Sequence, residues 1–127
     1  MIDRFDLIIE VPEVTPATLF SPAASETTAV IARRVEAARA YAGLRPQQAA
    51  DCANARLQPD QLAEVMICDD DATLLLQTAI EQSRLSVRAY HKVQRVARSI
   101  ADLKAEPTIK RAKIAEALAY RAMPFLA

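Results

Sequence analysis

Side chains that can hold a phosphate group are concentrated in one segment of the sequence. Residues 84–113 carry nine lysines and arginines but only two acids, a net charge of +7. Within this segment Arg88, Lys92 and Arg95 recur at helical spacing and fall along one edge of a predicted helix. Cationic side chains on one helix edge can contact phosphate or DNA. A charged helix edge that only faces solvent is the alternative.

The charge of the whole chain restricts this interpretation. Residues 59–81 contain six acids and no base, whereas the 127 residues together carry 16 acids and 16 lysines and arginines, a net charge of zero. A uniformly basic nucleic-acid-binding protein is therefore not indicated. The pattern instead indicates a local basic surface beside an acidic one.

Other catalytic or metal-binding chemistry finds little support. The single histidine, His91, has no cysteine or acid at ligand spacing, and Cys52 and Cys68 are not adjacent, which argues against a structural zinc site. Asp69 to Asp71 are explained by the positive end of a helix that starts there. No metal site is therefore predicted.

The N-terminus and the two cysteines indicate a compartment. Asp3, Arg4 and Asp6 interrupt any apolar stretch that could act as a signal peptide, and no apolar run approaches the ~20 residues of a membrane span. We therefore expect a cytoplasmic protein with reduced thiols and no membrane partner.

The low glycine content excludes a complete nucleotide-binding fold. Gly43 is the only glycine, and phosphate-binding loops need several glycines where the backbone approaches the ligand. The 26 alanines and the 5% aromatic content favour helices instead. The predicted fold is an all-α bundle of four to five helices.

The N-terminal region, before residue 26, is predicted to differ from the helical domain that follows it. Residues 5–11 alternate as in a β-strand, and the prolines of residues 13–25 indicate an extended linker. A lone strand cannot form a sheet, so we expect this segment to be mobile, to pair between copies or to lack its partners. The helical domain is predicted to occupy residues 26–127.

Local signals define the predicted helices. The starts are set by Ser25, Pro59, Asp69 and Ser86, and Gly43 is expected to cap the end of the first helix. A weaker helix is predicted near Pro46, and a last one over 110–122. The helix after Ser86 runs to about Leu103, and its predicted apolar stripe is Ala89, Val93, Val96, Ile100 and Leu103.

Six motifs, in order, resemble the C-terminal part of magnesium-chelatase-like AAA+ ATPases. They are distributed along nearly the whole length of the chain: Met1 to Pro12, Arg34 to Arg39, Asn54 to Leu57, Leu85 to Lys92, Val96 to Leu103 and Glu116 to Arg121. The strongest resemblance is to the ComM-type subfamily of bacterial competence and recombination ATPases. One departure is Tyr41 to Leu44, where the family often has a Gln-rich end of the first lid helix.

The resemblance implies a role within a larger ATPase. Residues 1–12 would be the last strand of a truncated AAA+ core, and residues 26–127 its helical lid. The phosphate-binding loop would lie upstream, so the chain alone is not expected to be catalytic. ATP with magnesium would be the cofactor of the intact parent. The implied partners are the missing ATPase core, neighbouring subunits of a hexameric ring and DNA.

Two arginines take roles from the resemblance. Arg4, in the Asp-Arg-Phe-Asp-Leu motif, matches an arginine finger, which acts on the ATP of a neighbouring subunit. Arg88, in the Leu-Ser-x-Arg-Ala-Tyr-His motif, matches the sensor-2 position that contacts ATP phosphate in the same or a neighbouring subunit. Lys92 and Arg95 would extend this surface. The alternatives are a free-standing helical module that binds DNA or protein through residues 84–113, and a purely structural helical protein.

Overall fold

Six α-helices form the described part of the chain. The computed structural model describes residues 4–20, 25–48 and 52–121. The helices are α1 Pro16–Leu19, α2 Thr28–Gly43, α3 Pro59–Val65, α4 Asp70–Ser83, α5 Val87–Leu103 and α6 Arg111–Ala119, with a 3-10 helix at Asn54–Arg56. The predicted all-α class is confirmed. None of the helices in the described ranges is both long and apolar enough to cross a membrane.

Helix α5 lies at the centre and contacts α2, the 3-10 helix, α3 and α6. The main core cluster is formed by small and branched side chains of α4, α5, α6 and the preceding loop: Ala72, Leu76, Val93, Ala97, Ala101, Ile109, Ile114 and Ala117. A smaller cluster contains Leu57, Leu62 and Val65. Burying such side chains is the main source of stability in a small domain.

The predicted stripe of α5 is confirmed at Ala89 and Val93, which are buried, but in the second half of the helix the buried face is rotated away from it. Ala97 and Ala101 are fully buried, whereas Leu103 at the end of the predicted stripe is 46% exposed. Val96 and Ile100 are half-buried at the edge of the core. Since α5 has neighbours on several sides, alanines at its centre allow the other helices to approach closely.

Capping residues explain most helix starts. Pro59 is the first residue of α3, and the side chains of Asp69 and Ser86 accept hydrogen bonds from the amides of Ala72 and Ala89. These three predicted starts are confirmed. The start of α2 differs, because Thr27 rather than Ser25 caps it by accepting from the amide of Val30 at 3.2 Å.

Two predicted boundaries are corrected. Gly43 is still helical and has no positive φ, so α2 ends in a right-handed turn at Leu44 rather than in a glycine cap. Where a weak helix is predicted to start near Pro46, residues 44–48 form turns, and residues 49–51 lie outside the described residues. Helix α6 ends at Ala119, and residue 122, the last of its predicted range 110–122, lies outside the described residues.

Residues 7–14 of the N-terminal segment form neither a helix nor a strand. Residues 7–14 do not pair with another strand in the described part of the chain. The sheet that their alternating pattern implies is therefore not formed there. Within the predicted linker, Thr15 caps the single-turn helix α1. The segment is also not separate from the bundle, since the amide of Ile8 donates to the carbonyl of Tyr120 at 2.7 Å.

Candidate functional site

Arg88 lies in the first turn of α5. The hydroxyl of Ser86 accepts from the amide of Ala89 at 3.1 Å and so fixes the start of the helix. The side chain of Arg88 is exposed and has no partner among the residues that the structure describes. An accessible guanidinium in the first turn adds to the positive end of the helix dipole, an arrangement suited to a phosphate.

Arg4 lies in the segment that packs against the same half of α5. It is exposed, and no described residue pairs with it. Two residues later, Asp6 forms an ion pair with Lys92, with 3.1 Å between Oδ1 and Nζ. Lys92 is one helical turn after Arg88. The backbone of the Arg4 segment is therefore held beside the half of α5 that begins with Arg88.

Lys92 and Arg95 are not free cations. Lys92 is only 8% exposed and is paired with Asp6. Arg95 donates from Nε and Nη2 to the carbonyl of Leu57 at 3.2 and 3.0 Å. Their role in a phosphate or nucleic-acid surface stays a prediction. To contact such a ligand, each side chain would have to leave its present partner within the chain.

The aromatic neighbours of Arg88 have packing roles. Tyr90 and His91 contact each other with ring centroids 5.4 Å apart, and the hydroxyl of Tyr90 accepts from Nε2 of Gln94 at 3.0 Å. In the described ranges, no three His, Cys, Asp or Glu side chains are placed to hold a metal ion. His91 therefore has no ligand set around it there.

The C-terminal half of α5 contains a buried polar cluster that sequence reasoning missed. We call it the Asp102 network, formed by Arg45, Gln48, Asn54, Arg98 and Asp102. Oδ1 of Asp102 accepts from Arg45 at 2.7 Å and from Arg98 at 3.2 Å, and Oδ2 accepts from Asn54 at 2.8 Å and Arg45 at 3.0 Å. Two arginines thus share one carboxylate.

Arg98 connects this network to the loops around α5. It donates to the carbonyls of Val65, Glu106 and Pro107 at 3.0, 2.5 and 3.1 Å. Burial lowers the pKa of Arg98, and the nearby carboxylate of Asp102 opposes that change. The hydrogen-bond acceptors around the guanidinium compensate for the water that it loses on burial. The sequence offered a sign of this role, because Arg98 and Asp102 are four residues apart on one helix.

A cleft of about 620 Å³ lies between α2, the 3-10 helix and the C-terminal half of α5. Its walls include Val35, Arg39, Arg56 and Leu103, and members of the Asp102 network reach it. The cleft is at the opposite half of α5 from Arg88. It therefore does not bring the predicted site residues together.

Similarity to known proteins covers the whole bundle. The sequence profile described as "Magnesium chelatase, subunit ChlI C-terminal" matches residues 25–121. The chain is 37% identical over 123 residues to the competence protein ComM of Haemophilus influenzae and 32% identical over 123 residues to the protein YifB of Salmonella typhimurium. These matches cover 96% of this chain but only 23% and 24% of the relatives.

A third relative, Rv2897c of Mycobacterium tuberculosis, is 31% identical over 121 residues, which are 95% of this chain and 24% of the relative. The chain thus spans about a quarter of the length of the curated relatives it matches. The order of motifs in the sequence is consistent with these matches, and the ComM-type resemblance is confirmed. The chain belongs to the C-terminal family of the magnesium chelatase subunit ChlI.

Proposed function

We propose that this chain works as the helical lid of a ComM-type AAA+ ATPase and presents Arg88 to the phosphates of ATP. The observation that carries this proposal is an exposed arginine in the first turn of a helix whose other cations have internal partners. ATP with magnesium would be held by an ATPase core. This chain supplies none of the glycine-rich backbone that such a core needs, because it has one glycine.

Arg4 adds a second cation to the proposed site. A permanently charged planar donor stabilises the charge that develops on the transferred phosphoryl group. The ion pair between Asp6 and Lys92 keeps the Arg4 segment close to the lid, so the two arginines would respond together to the phosphate state. We propose that Arg4 acts on the ATP of a neighbouring subunit in a hexameric ring.

A chimera tests the proposed function. The chain replaces the matched 123 residues of the Haemophilus influenzae protein, and ATP hydrolysis is compared with the same protein lacking those residues. We expect hydrolysis only when the lid is present, and none from the 127-residue chain alone. Turnover by the isolated chain, or equal turnover with and without the lid, would contradict the proposal.

Mixed subunits test whether Arg4 acts across a subunit boundary. One chimera carries Arg4→Ala, and a second has an intact Arg4 but a disabled phosphate-binding loop. If Arg4 acts in trans, mixing the two inactive proteins restores part of the hydrolysis. Mixtures that stay inactive while each protein still assembles would count against an arginine finger.

A free-standing DNA-binding module is the second candidate. Five cations of the basic segment are exposed, namely Arg84, Arg88, Lys104, Lys110 and Arg111. This candidate predicts that the 127-residue chain binds duplex DNA with an affinity that falls steeply with salt and falls further in Arg88→Ala with Lys92→Ala. If the chain is instead the lid of an ATPase that remodels DNA, hydrolysis of ATP by the chimera should depend on DNA.

A further inference from the structure

Lys92 has an unusual environment for a lysine. It is 8% exposed, and its ammonium pairs with the carboxylate of Asp6, whose side chain is itself 62% exposed. An ammonium that has lost most of its water needs a partner, or its burial is costly. In the described part of the chain, that partner comes from the N-terminal segment and not from the helical bundle.

The N-terminal segment is held on the bundle by polar contacts with only limited apolar burial. Phe5, Leu7, Ile9 and Val11 are 60%, 47%, 65% and 84% exposed, and of the segment's described residues only Ile8 is half-buried. Three polar contacts join the segment to the bundle among the residues that the structure describes. Besides the ion pair, the amide of Ile8 donates to the carbonyl of Tyr120 at 2.7 Å, and Nη1 of Arg121 donates to the carbonyl of Phe5 at 3.1 Å.

Of the three contacts, only the ion pair reaches α5, the helix that carries Arg88, and it lies two residues from Arg4. Lys92 is one turn, roughly 6 Å along the helix axis, from Arg88. Asp6 is two residues, at most about 7 Å of chain, from Arg4. The pair therefore connects the segment of one cation to the helix of the other by a short path.

We propose that Lys92 is a positioning residue, which holds Asp6 and thereby fixes Arg4 relative to Arg88. This inference rests on the proposed function, since it assigns Lys92 the task of making Arg4 follow the movement of the lid. A lysine that only contributes to stability would leave kcat unchanged when the ion pair is lost and the bundle stays folded.

Amide hydrogen exchange of the 127-residue chain tests the connection without ATP. The variants are Asp6→Asn, Lys92→Met and the exchanged pair Asp6→Lys with Lys92→Glu. We expect the exchange of the Ile8 amide to rise about fivefold or more in each single variant, as for loss of about 1 kcal/mol, and to return to within about twofold in the exchanged pair. Amides in the middle of α5 act as the internal control.

Two results would overturn the positioning role. One is an Ile8 amide that exchanges at the same rate in the wild type and in Asp6→Asn, a substitution at an exposed side chain that cannot disturb the core. The other is an exchanged pair that is no better protected than either single variant. Both results can be read even if Lys92→Met lowers the stability of the bundle.

Hydrolysis by the chimera separates this inference from the proposed function. We expect Lys92→Met to lower kcat about tenfold with little change in KM for ATP, and the exchanged pair to recover most of kcat. If Arg4→Ala lowers hydrolysis but Lys92→Met does not, the positioning role fails and the proposed function stands. If neither Arg4→Ala nor Arg88→Ala lowers hydrolysis, the proposed function fails while exchange still reports on the ion pair.

Discussion

Arg88 and Arg98 lie on the same helix, ten residues apart, in opposite environments. Arg88 is exposed and has no partner among the described residues, whereas Arg98 is 1% exposed and donates to one carboxylate and three carbonyls. The N-terminal half of α5 thus offers a cation to solvent. The C-terminal half uses its cations to join loops to the core.

The difference shows that charge along a helix does not define a binding surface. Nine cations in residues 84–113 indicate one basic edge, but the acceptors that face each cation determine what it does. Where loop carbonyls and the carboxylate of Asp102 surround it, as at Arg98, arginine is structural. Where only solvent lies opposite, as at Arg88, arginine is available for a ligand.

The largest expected effect is at Asp102. Asp102→Ala leaves Arg45 and Arg98 without their shared carboxylate, and removal of one member of a buried ion pair costs about 3–5 kcal/mol. Urea unfolding followed by circular dichroism measures it. Glu81→Ala, at an exposed acid of α4, is the control and should change stability by less than about 0.5 kcal/mol. Equal stability of the two variants would contradict the structural role of this half of α5.

A smaller loss is expected at Asn54. Its side chain accepts from Arg45 and Gln48 and donates to Ser99 and Asp102. Asn54→Ala leaves several buried polar atoms unpaired, so we expect a loss of about 1–3 kcal/mol in the same urea measurement. Gln82→Ala, at an exposed amide of α4, is the matched control. A loss below that of the control would mean that water replaces Asn54 freely.

At the other end of α5, stability should be less sensitive. Ser86→Ala removes the cap of α5 and should cost about 1 kcal/mol, whereas Ser86→Asp should keep most of it. Arg88→Ala should cost less than about 0.5 kcal/mol, because no described residue depends on its side chain. Thermal unfolding of the three variants tests both statements, and a drop in Tm for Arg88→Ala as large as that for Ser86→Ala would contradict the second.

The smallest expected effect is on the pH dependence of alkylation of the Cys68 thiol, which lies near Arg98. Burial raises the pKa of the Cys68 thiol, and the charge of Arg98 opposes this in part. A raised pKa means a smaller thiolate fraction at any pH below it, so alkylation of the folded chain should reach its half-maximal rate at a higher pH than in urea. Iodoacetamide kinetics in a Cys52→Ala background measure this. Identical midpoints in both states would contradict it.

Local signals explain what the sequence could predict. Pro59, Asp69 and Ser86 act within one turn of their own helices, and each helix starts where these residues indicate. The resemblance to magnesium-chelatase-like ATPases rested on motifs of adjacent residues, which a single sequence displays in full. The family and the helical class were therefore predictable.

Contacts between distant residues explain what the sequence could not predict. Asp102 meets Arg45 and Asn54, which lie 57 and 48 residues away along the chain. The pairing of Lys92 with Asp6 likewise depends on how the N-terminal segment crosses α5. The alternating pattern of residues 5–11 predicted a strand, but a strand also needs a sheet, and the described residues contain none.

Hydrolysis by the chimera with matched arginine substitutions tests the central claim most directly. Arg88 and Arg111 are both exposed arginines in the first turn of a helix, α5 and α6 respectively. If Arg88 contacts ATP phosphate, Arg88→Ala lowers kcat by about a hundredfold, the scale for loss of one donor to a developing charge, while Arg111→Ala stays within about twofold of the unsubstituted chimera. Equal rates for the two variants would contradict the assignment of Arg88 to ATP.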